Sequence, residues 1–488
     1  VFCGRTLLGA PAPKGQEMED HYFGTLKPKV AAYMHDLDVE LWKLGIPAKT
    51  KHNEVAPAQH ELAPVFDTTN VAVDHNQLTM EIMKKVADKH DLVCLLHEKP
   101  FEGINGSGKH NNWSMITDDG VNLLDPGKTP SENIQFLVFL MAVIKAVDEY
   151  ADLLRISVAS AGNDHRLGAN EAPPAVVSIF LGDELTEVLK SIENDTYFTS
   201  HGAVQMDIGA TVLPHFVKDN TDRNRTSPFA FTGNKFEFRM LGSAASVANP
   251  NIVLNTAVAE ALDQFAKELD GVAPEDMEHA VHELIKRAIK KHKRVIFNGN
   301  GYTDEWIEEA KKRGLYNLKS TPDALPMWIA QKNIDLFTKH SIFTSEELHS
   351  RYEIWLENYS KTINIESNTM VEMVQKDLLP SVMSYIEEIA STASLKASVV
   401  PGITCESETA LITKLSELQD AMTKGLEKLK SDTAKARATE DVLENAKLYQ
   451  AKVLEDMEEL RKSADAAETL IPDDLLPYPT YGKLLFYI

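Results

Sequence analysis

A glycine-rich stretch between Lys99 and Ser114 carries the densest chemical signal in the sequence. It contains Asn105-Gly106-Ser107-Gly108 and, one residue later, His110. Glycines let backbone amides approach a ligand closely, and His110 could bind a metal ion or pair with a carboxylate. Asn112 and Ser114 alternate with His110, which predicts that all three lie on one face of a β-strand. A surface turn would explain the glycines alone, and the spacing of a phosphate-binding P-loop is absent.

Two glutamates, Glu54 and Glu61, flank a turn that contains Pro57. Carboxylates that converge across a turn offer the hard oxygen ligands that Mg²⁺ and Mn²⁺ prefer. The sequence therefore predicts a divalent-cation site at this turn. Two exposed glutamates in a loop are the alternative interpretation of such a pair.

Two later loops carry arginines that could bind anionic groups, and the first of them also carries a glutamate. Arg166 offers a bidentate fork for a carboxylate, and Glu171 lies in a Gly/Pro-bounded loop that could close over a site. The paired Arg223 and Arg225 suit a polyphosphate. Ordinary ion pairs at the surface are the alternative for each of these loops.

The alternation in Lys235-Phe236-Glu237-Phe238-Arg239 predicts a strand. Its charged residues would lie on one face and its aromatic residues on the other. A strand that presents Glu237 and Arg239 opposite its core side suits the wall of a site.

Taken in order, these segments resemble one family, the glutamine synthetases. The run from Lys99 to Ser114 resembles the ATP-region signature of that family, and Asn53–Glu61 resembles its metal-binding loop. Asn170–Pro174 is similar to its glutamate-site flap, and Lys235–Arg239 to its late Glu-x-Arg strand. Ala248-Asn249-Pro250 is similar to the helix start that follows. The opening Gly-Arg-Thr-Leu and Ala-Pro-Lys-Gly-Gln-Glu segments, with the long C-terminal helical region, resemble the type III subfamily.

The resemblance implies a role for each matching residue. Glu54 and Glu61 would hold one divalent cation, Mg²⁺ or Mn²⁺, and His110 and Glu237 would hold a second. Tyr22 matches the tyrosine of the ammonium site more loosely. The remaining roles are glutamate binding by Asn105, Gly106, His110, Arg166 and Arg239, ATP binding by Asn112, Ser114 and Arg225, and catalysis by Glu171 and Arg225.

The activity that the resemblance implies is the ATP-dependent ligation of ammonium to the γ-carboxylate of L-glutamate, through γ-glutamyl phosphate. It also implies a homo-oligomer, a dodecamer of two hexameric rings. Two alternatives stay open at this point. One is a γ-glutamyl ligase for another amine, and the other is a non-catalytic relative or fragment that assembles without turnover.

The chain departs from the family pattern in two places. The Glu-x-Glu strand and the N-terminal β-grasp domain of the family would precede Val1, so we expect incomplete metal shells in this chain alone. Glu17-Met18-Glu19 has the Glu-x-Glu spacing, but its neighbours match the following segment. Ala230 stands where many relatives carry a phosphate-binding arginine, and Arg223 is a candidate replacement.

Composition and charge narrow the class of protein. Among 488 residues there are 50 Lys and Arg against 73 Asp and Glu, a formal charge of −23. An acidic chain without a basic patch repels nucleic-acid backbones, whereas it can bind ATP through divalent metals. The three cysteines form no CxxC pair and favour a reducing compartment. The longest apolar run, Phe136–Ile144, is shorter than a membrane span and predicts a buried helix. We therefore expect a cytoplasmic protein without nucleic-acid or membrane partners.

The periodicity of apolar residues predicts an α+β protein. The stripe Val30, Met34, Leu37 and Leu41 indicates an amphipathic helix. The predicted parts are a catalytic domain over 1–265, a helical region over 266–395, a helical hairpin over 396–470 and a Pro-containing tail over 471–488. The resemblance implies an antiparallel sheet in the catalytic domain, with helices packed on one side.

Overall fold

The computed structural model describes residues 5–168, 172–196, 205–206, 216–217 and 227–486. These residues fall into two compact units that do not follow chain order. Unit 1 comprises Val1–Ser107, Ser160–His165 and Glu353–Ile488, and unit 2 comprises Gly108–Ala159 and Arg166–Tyr352. The four-part division by chain order stays a prediction.

The strands and helices of the described residues alternate at first and are almost entirely helical after Ala248. The strands are β1 Ala48–Asn53, β2 His60–Pro64, β3 Gly108–Trp113, β4 Ile179–Phe180, β5 Gln205–Met206, β6 Phe216–Val217, β7 Phe229–Phe231 and β8 Phe236–Gly242. The helices are α1 Pro28–Lys43, α2 Thr69–Lys89, α3 Ile134–Ile156, α4 Ala161–Arg166, α5 Asp183–Glu193, α6 Ala248–Leu269, α7 Met277–His292, α8 Asp304–Lys312, α9 Thr321–Ala324, α10 Gln331–Lys339, α11 Ser345–Met373, α12 Leu379–Val399, α13 Glu406–Arg437, α14 Val442–Leu448, α15 Leu454–Glu468 and α16 Tyr481–Phe486. Short 3₁₀ turns span Lys293–Val295 and Leu325–Ile329, and π-helical turns span Val374–Leu378 and Tyr449–Val453.

The first half of unit 1 is a helix–hairpin–helix arrangement. Helix α1 begins with Pro28 in its first turn, where a missing amide hydrogen costs nothing. It buries Val30, Met34, Leu37 and Leu41, which confirms the predicted stripe. Leu37 and Leu41 pack with Ile46 and with Val86 of α2 in one apolar cluster. This cluster supports the antiparallel hairpin of β1 and β2.

The second half of unit 1 contains the helical hairpin that the sequence predicts. Helix α13 buries its leucine and methionine stripe against α12 and α15. The turn between the two arms ends at Asp441, whose carboxylate accepts from the amides of Leu443 and Glu444. A Cβ on Gly425 would lie 3.2 Å from a methyl carbon of Leu460, so the arms approach closely there. Pro380 follows the π-helical turn before α12, where its ring removes a helical hydrogen bond.

Unit 2 is built on a four-stranded sheet with the order β3-β8-β7-β4. The pairs β3–β8 and β8–β7 are antiparallel, as predicted, whereas the two-residue β4 runs parallel to β7. Phe236 and Phe238 of β8 pack against Phe229 of β7. Helix α3 contains the apolar run Phe136–Ile144 and buries every residue of it except Val138 and Phe139, which are partly exposed. No helix of the described residues has the length and apolarity to cross a membrane.

Candidate active site

The hairpin of β1 and β2 brings three potential metal ligands together in unit 1. His52 lies opposite Glu61 in the strand register, and the Glu54 amide donates to the Gln59 carbonyl at 2.9 Å to close the turn. His52 Nε2 lies 2.9 Å from Glu61 Oε2, and His52 Nδ1 lies 3.7 Å from Glu54 Oε1. One ligand atom from each residue falls within 4.8 Å of the others. We call His52, Glu54 and Glu61 the turn cluster. The predicted convergence of the two glutamates is present in the structure.

His52 is a candidate ligand that the sequence analysis missed. It stands two residues before Glu54, so the alternation of a strand places both side chains on one face. That spacing was the available signal. The Asn53 carbonyl, which accepts from Nδ1 at 2.7 Å, raises the pKa of His52, and the carboxylates of Glu61 and Glu54 act in the same direction.

Tyr22 lies beside the turn cluster. Its ring centroid is 5.6 Å from that of His52, and the two rings are nearly perpendicular. The side chain remains exposed to solvent. Its position is compatible with the loosely predicted ammonium role, which stays a prediction.

The glycine-rich loop, Lys99–Ser107, is held by two glutamines of unit 1. The side-chain nitrogen Nε2 of Gln16 donates to Asn105 Oδ1 at 2.6 Å. Gln16 Oε1 accepts from the Asn105 backbone amide at 2.8 Å. Gln59 Nε2 donates to the Gly106 carbonyl at 2.9 Å. Asn105 and Gly106 are both buried. Gln16 and Gln59 lie inside segments that the sequence analysis singled out, but it gave them no role.

In unit 2, strands β3 and β8 bring His110 and Glu237 together. His110 Nδ1 lies 3.2 Å from Glu237 Oε1, and Arg239 Nε lies 3.8 Å from Glu237 Oε2. The register shifts between Lys109 and Asn111, so β8 carries one extra residue opposite His110. The His110 side chain is 43% exposed and that of Glu237 only 10%. We call His110 and Glu237 the strand pair.

Asn112 and Ser114, which the resemblance assigns to the nucleotide, differ in their surroundings, and only Asn112 lies on β3. His110 and Asn112 are exposed and alternate with the more buried Lys109, Asn111 and Trp113, which agrees with the predicted shared face. Ser114 follows the strand, and its Oγ lies 2.7 Å from Asn122 Oδ1 and 3.1 Å from the Asn234 carbonyl. Ala230 is buried in β7 directly opposite Glu237.

Arg166 is buried against the start of β3. Its Nη1 donates to the Leu241 carbonyl at 3.1 Å. A Cβ on Gly108 would lie 2.1 Å from Arg166 Nη2 and 2.8 Å from the backbone carbonyl oxygen of Leu241, so only glycine fits at position 108. The close packing of protein groups around Gly108 therefore requires a glycine there. The predicted role of Arg166 in binding glutamate stays a prediction.

Several predicted residues lie outside the described residues: Glu171, Arg223 and Arg225. Their roles in catalysis and ATP binding stay predictions.

Comparison with known proteins agrees with the family that the motifs indicate. Residues 10–177 match the family described as the glutamine synthetase catalytic domain, and residues 280–396 match the glutamine synthetase C-terminal domain. A glutamine synthetase of Butyrivibrio fibrisolvens is 61% identical over 491 residues, which cover 100% of this chain and 69% of that protein. The chain belongs to the glutamine synthetase family.

Two further relatives match this chain over nearly its whole length. The type-3 glutamine synthetase of Dictyostelium discoideum is 47% identical over 494 residues, which cover 100% of this chain and 67% of that protein. A glutamine synthetase of Bacteroides fragilis is 41% identical, and the match covers 99% of this chain and 68% of that protein. The predicted family is thus confirmed. One of the relatives that match the whole of this chain is a type-3 glutamine synthetase.

Proposed function

We propose that this protein joins ammonium to the γ-carboxylate of L-glutamate at the expense of ATP, giving L-glutamine, ADP and phosphate. The observation that carries the proposal is the local geometry of the turn cluster. Residues that the resemblance assigns to a divalent cation converge there, within one hairpin, together with a histidine.

The donor chemistry of both clusters fits divalent cations. The turn cluster offers one imidazole nitrogen and two carboxylates, and the strand pair offers one imidazole and one carboxylate. The carboxylates are the hard oxygen ligands that Mg²⁺ and Mn²⁺ prefer, and a neutral imidazole is a common nitrogen ligand of metal ions. Glu54, Glu61 and His52 would hold one cation, and His110 and Glu237 would hold the other. When bound, such cations neutralise the charges of ATP and glutamate, which otherwise repel each other.

The remaining roles concern substrates. Asn105, Gly106, His110, Arg166 and Arg239 would bind glutamate. The nucleotide would be bound by Asn112, Ser114 and Arg225. Arg225 would also stabilise the charge that develops on the transferred phosphoryl group, because a guanidinium matches phosphate oxygens in a bidentate way.

The chemistry then proceeds in two steps. The γ-carboxylate of glutamate attacks the γ-phosphorus of ATP, which forms γ-glutamyl phosphate and releases ADP. Ammonium loses a proton, and ammonia attacks the acyl carbon and displaces phosphate. Glu171 would close the flap, exclude water that would hydrolyse the acyl phosphate, and help to take the proton. Tyr22 would lie at the ammonium site.

The proposal includes the assembly and location that the resemblance implies. The protein would form a homo-oligomer, a dodecamer of two hexameric rings, in the cytoplasm. Native mass spectrometry of the purified protein tests the assembly.

The decisive experiment follows the nitrogen atom. Purified full-length protein is given glutamate, Mg-ATP and ¹⁵N-ammonium, and the products are followed by NMR and by ADP release. We expect amide-labelled glutamine with one ADP for each amide formed. Faster transfer to methylamine or another amine would support the other-amine ligase instead. A folded, metal-loaded protein without any ATP-dependent γ-glutamyl transfer would overturn the proposal.

A further inference from the structure

The last helix of the described chain lies beneath the loops of unit 1 that carry proposed site residues. Tyr481 and Leu485 of α16 pack with Ala56 and Ile104 in one buried cluster. Ala56 lies in the turn between Glu54 and Glu61, and Ile104 directly precedes Asn105. The apolar support of both loops therefore comes in part from residues near the C-terminus.

A mostly buried arginine of α15 links this cluster to the opening segment of the chain. The Arg461 side chain is only 14% exposed, so its donors face protein groups rather than water. Its Nη2 donates to the Tyr481 hydroxyl at 3.0 Å. Its other partners are the carbonyls of Thr6 at 2.6 Å and Gly9 at 3.1 Å, Asp465 Oδ2 at 2.8 Å, and Glu102 Oε2 at 3.6 Å.

Glu102 carries this linkage into the glycine-rich loop. It lies 3.6 Å from His165 Nε2, and His165 directly precedes Arg166 in the chain. His165 and Arg461 together hold the pKa of Glu102 well below its usual range, to about 2. The carboxylate is therefore charged at neutral pH and can pair with Arg461.

Three contacts hold the ring of Tyr481 in place. Its ring centroid lies 5.4 Å from that of Phe101, edge to face. Gly9, at φ +134°, packs directly against the same ring, because a Cβ there would lie 2.2 Å from a ring carbon of Tyr481. With the hydrogen bond from Arg461, these contacts fix the ring under Phe101 and Ile104.

We propose that Arg461 and Tyr481 are positioning residues, which hold the glycine-rich loop in the conformation that binds glutamate. This inference rests on the proposed function. The loop has no regular secondary structure between Lys99 and Ser107, so its order depends on such tertiary contacts. The C-terminal helical hairpin and α16 thereby contribute to substrate affinity without touching substrate.

The test compares matched substitutions in the full-length protein. Arg461→Gln removes the charge and the fork, Arg461→Lys keeps the charge, and Tyr481→Phe removes the hydroxyl alone. Tyr478→Phe is the control, because the Tyr478 hydroxyl has no hydrogen-bond partner among the described residues. Lys462→Gln is the second control, since Lys462 is exposed on α15 and its one ion pair among the described residues is with Glu459.

We expect Arg461→Gln to raise the KM for glutamate about 10-fold or more, because the loop loses the support of a charged group that donates several hydrogen bonds. Arg461→Lys should recover part of this loss, and Tyr481→Phe should raise the KM a few-fold. The KM for ATP should stay close to that of the parent, because Asn112 and Ser114 lie in unit 2. Both controls should match the parent protein.

Hydrogen exchange of a peptide covering residues 98–107 separates the possible failures. Faster exchange in Arg461→Gln, at an unchanged melting temperature, supports the positioning role of Arg461. It does so even if the parent protein forms no glutamine, a result that overturns only the proposed function. Unchanged exchange together with an unchanged glutamate KM overturns the proposal. Equal rises in both KM values with a lowered melting temperature also overturn it, since they indicate general destabilisation.

Discussion

The turn cluster and the strand pair both combine histidine with carboxylates, yet the chain builds them by different means. His52, Glu54 and Glu61 belong to one hairpin, so a single strand register places them. His110 and Glu237 meet only because β3 pairs with β8 across a bulge. The first cluster therefore depends on local structure and the second on long-range pairing of the sheet.

The two regions also differ in their access to water. The side chain of Glu61 is 48% exposed, whereas that of Glu237 is 10% exposed and lies beside Arg239. Charge interactions are stronger where water is excluded. A change in the strand pair should thus cost more activity than a comparable change in the turn cluster.

The largest effect is expected for Glu237→Gln. This change removes a charge from a mostly buried site and leaves His110 and Arg239 without their carboxylate. We expect the rate of glutamine formation to fall about 10²–10³-fold, similar to the loss of one preorganised electrostatic group. Initial rates at saturating substrates measure it. Glu309→Gln, in an exposed pair with Arg313, is the control in unit 2. A loss no greater than that of Glu61→Gln would show that the lower exposure of Glu237 does not make the strand pair more sensitive.

His52→Ala tests whether the histidine is a third ligand of the turn cluster. If it is, the affinity for Mn²⁺ should fall about 10-fold or more, as for other changes around bound metals. Isothermal titration calorimetry of the purified protein measures this affinity. His90→Ala, which removes another histidine–carboxylate pair in unit 1, should leave it unchanged. Equal affinities in both variants would mean that Glu54 and Glu61 act without His52.

Gln16→Ala tests the support of the glycine-rich loop. The change leaves the buried amide and side-chain oxygen of Asn105 without their partner, and two lost hydrogen bonds cost about 1–3 kcal/mol. We expect the KM for glutamate to rise about 10-fold, with a smaller change in the KM for ATP. Steady-state kinetics check this, with the exposed Gln77→Ala of α2 as the control. A larger effect on ATP than on glutamate would contradict the assignment of Asn105.

The smallest effect is expected in the pH dependence of stability. In the folded protein His165 and Arg461 lower the pKa of Glu102 to about 2, from an ordinary value of 4.5. The resulting stabilisation is fully present above about pH 4.5 and is lost as the pH falls through 2. Glu102→Gln should therefore flatten the decline of stability in this window.

Urea unfolding at pH 6 and pH 3 measures the difference for Glu102→Gln. Glu427→Gln, at an exposed position of α13 that pairs with Lys430, should follow the parent protein at both values. Parallel pH profiles for the parent and Glu102→Gln would show that the Glu102 charge does not support the loop.

Residue types and local spacing were enough to predict much of the candidate site. Glu54 and Glu61 could be paired from the sequence because a short turn brings its flanks together whatever the rest of the chain does. His52 could have been added from its two-residue spacing to Glu54. The role of Gln16 could not be predicted, because no local pattern indicates that its side chain forms hydrogen bonds with Asn105, which is distant in the sequence.

The amino-acid sequence was enough to predict the family, the apolar stripe of α1, the helical hairpin and the residue types available for metal binding. These follow from motifs and periodicities that operate over a few turns or strands. The close approach of Gly108 and Arg166, by contrast, is visible only in the folded chain. The same holds for the position of Arg461 and Tyr481 beneath the glycine-rich loop. Such contacts join residues that are distant in the chain, and close packing rather than local preference selects them.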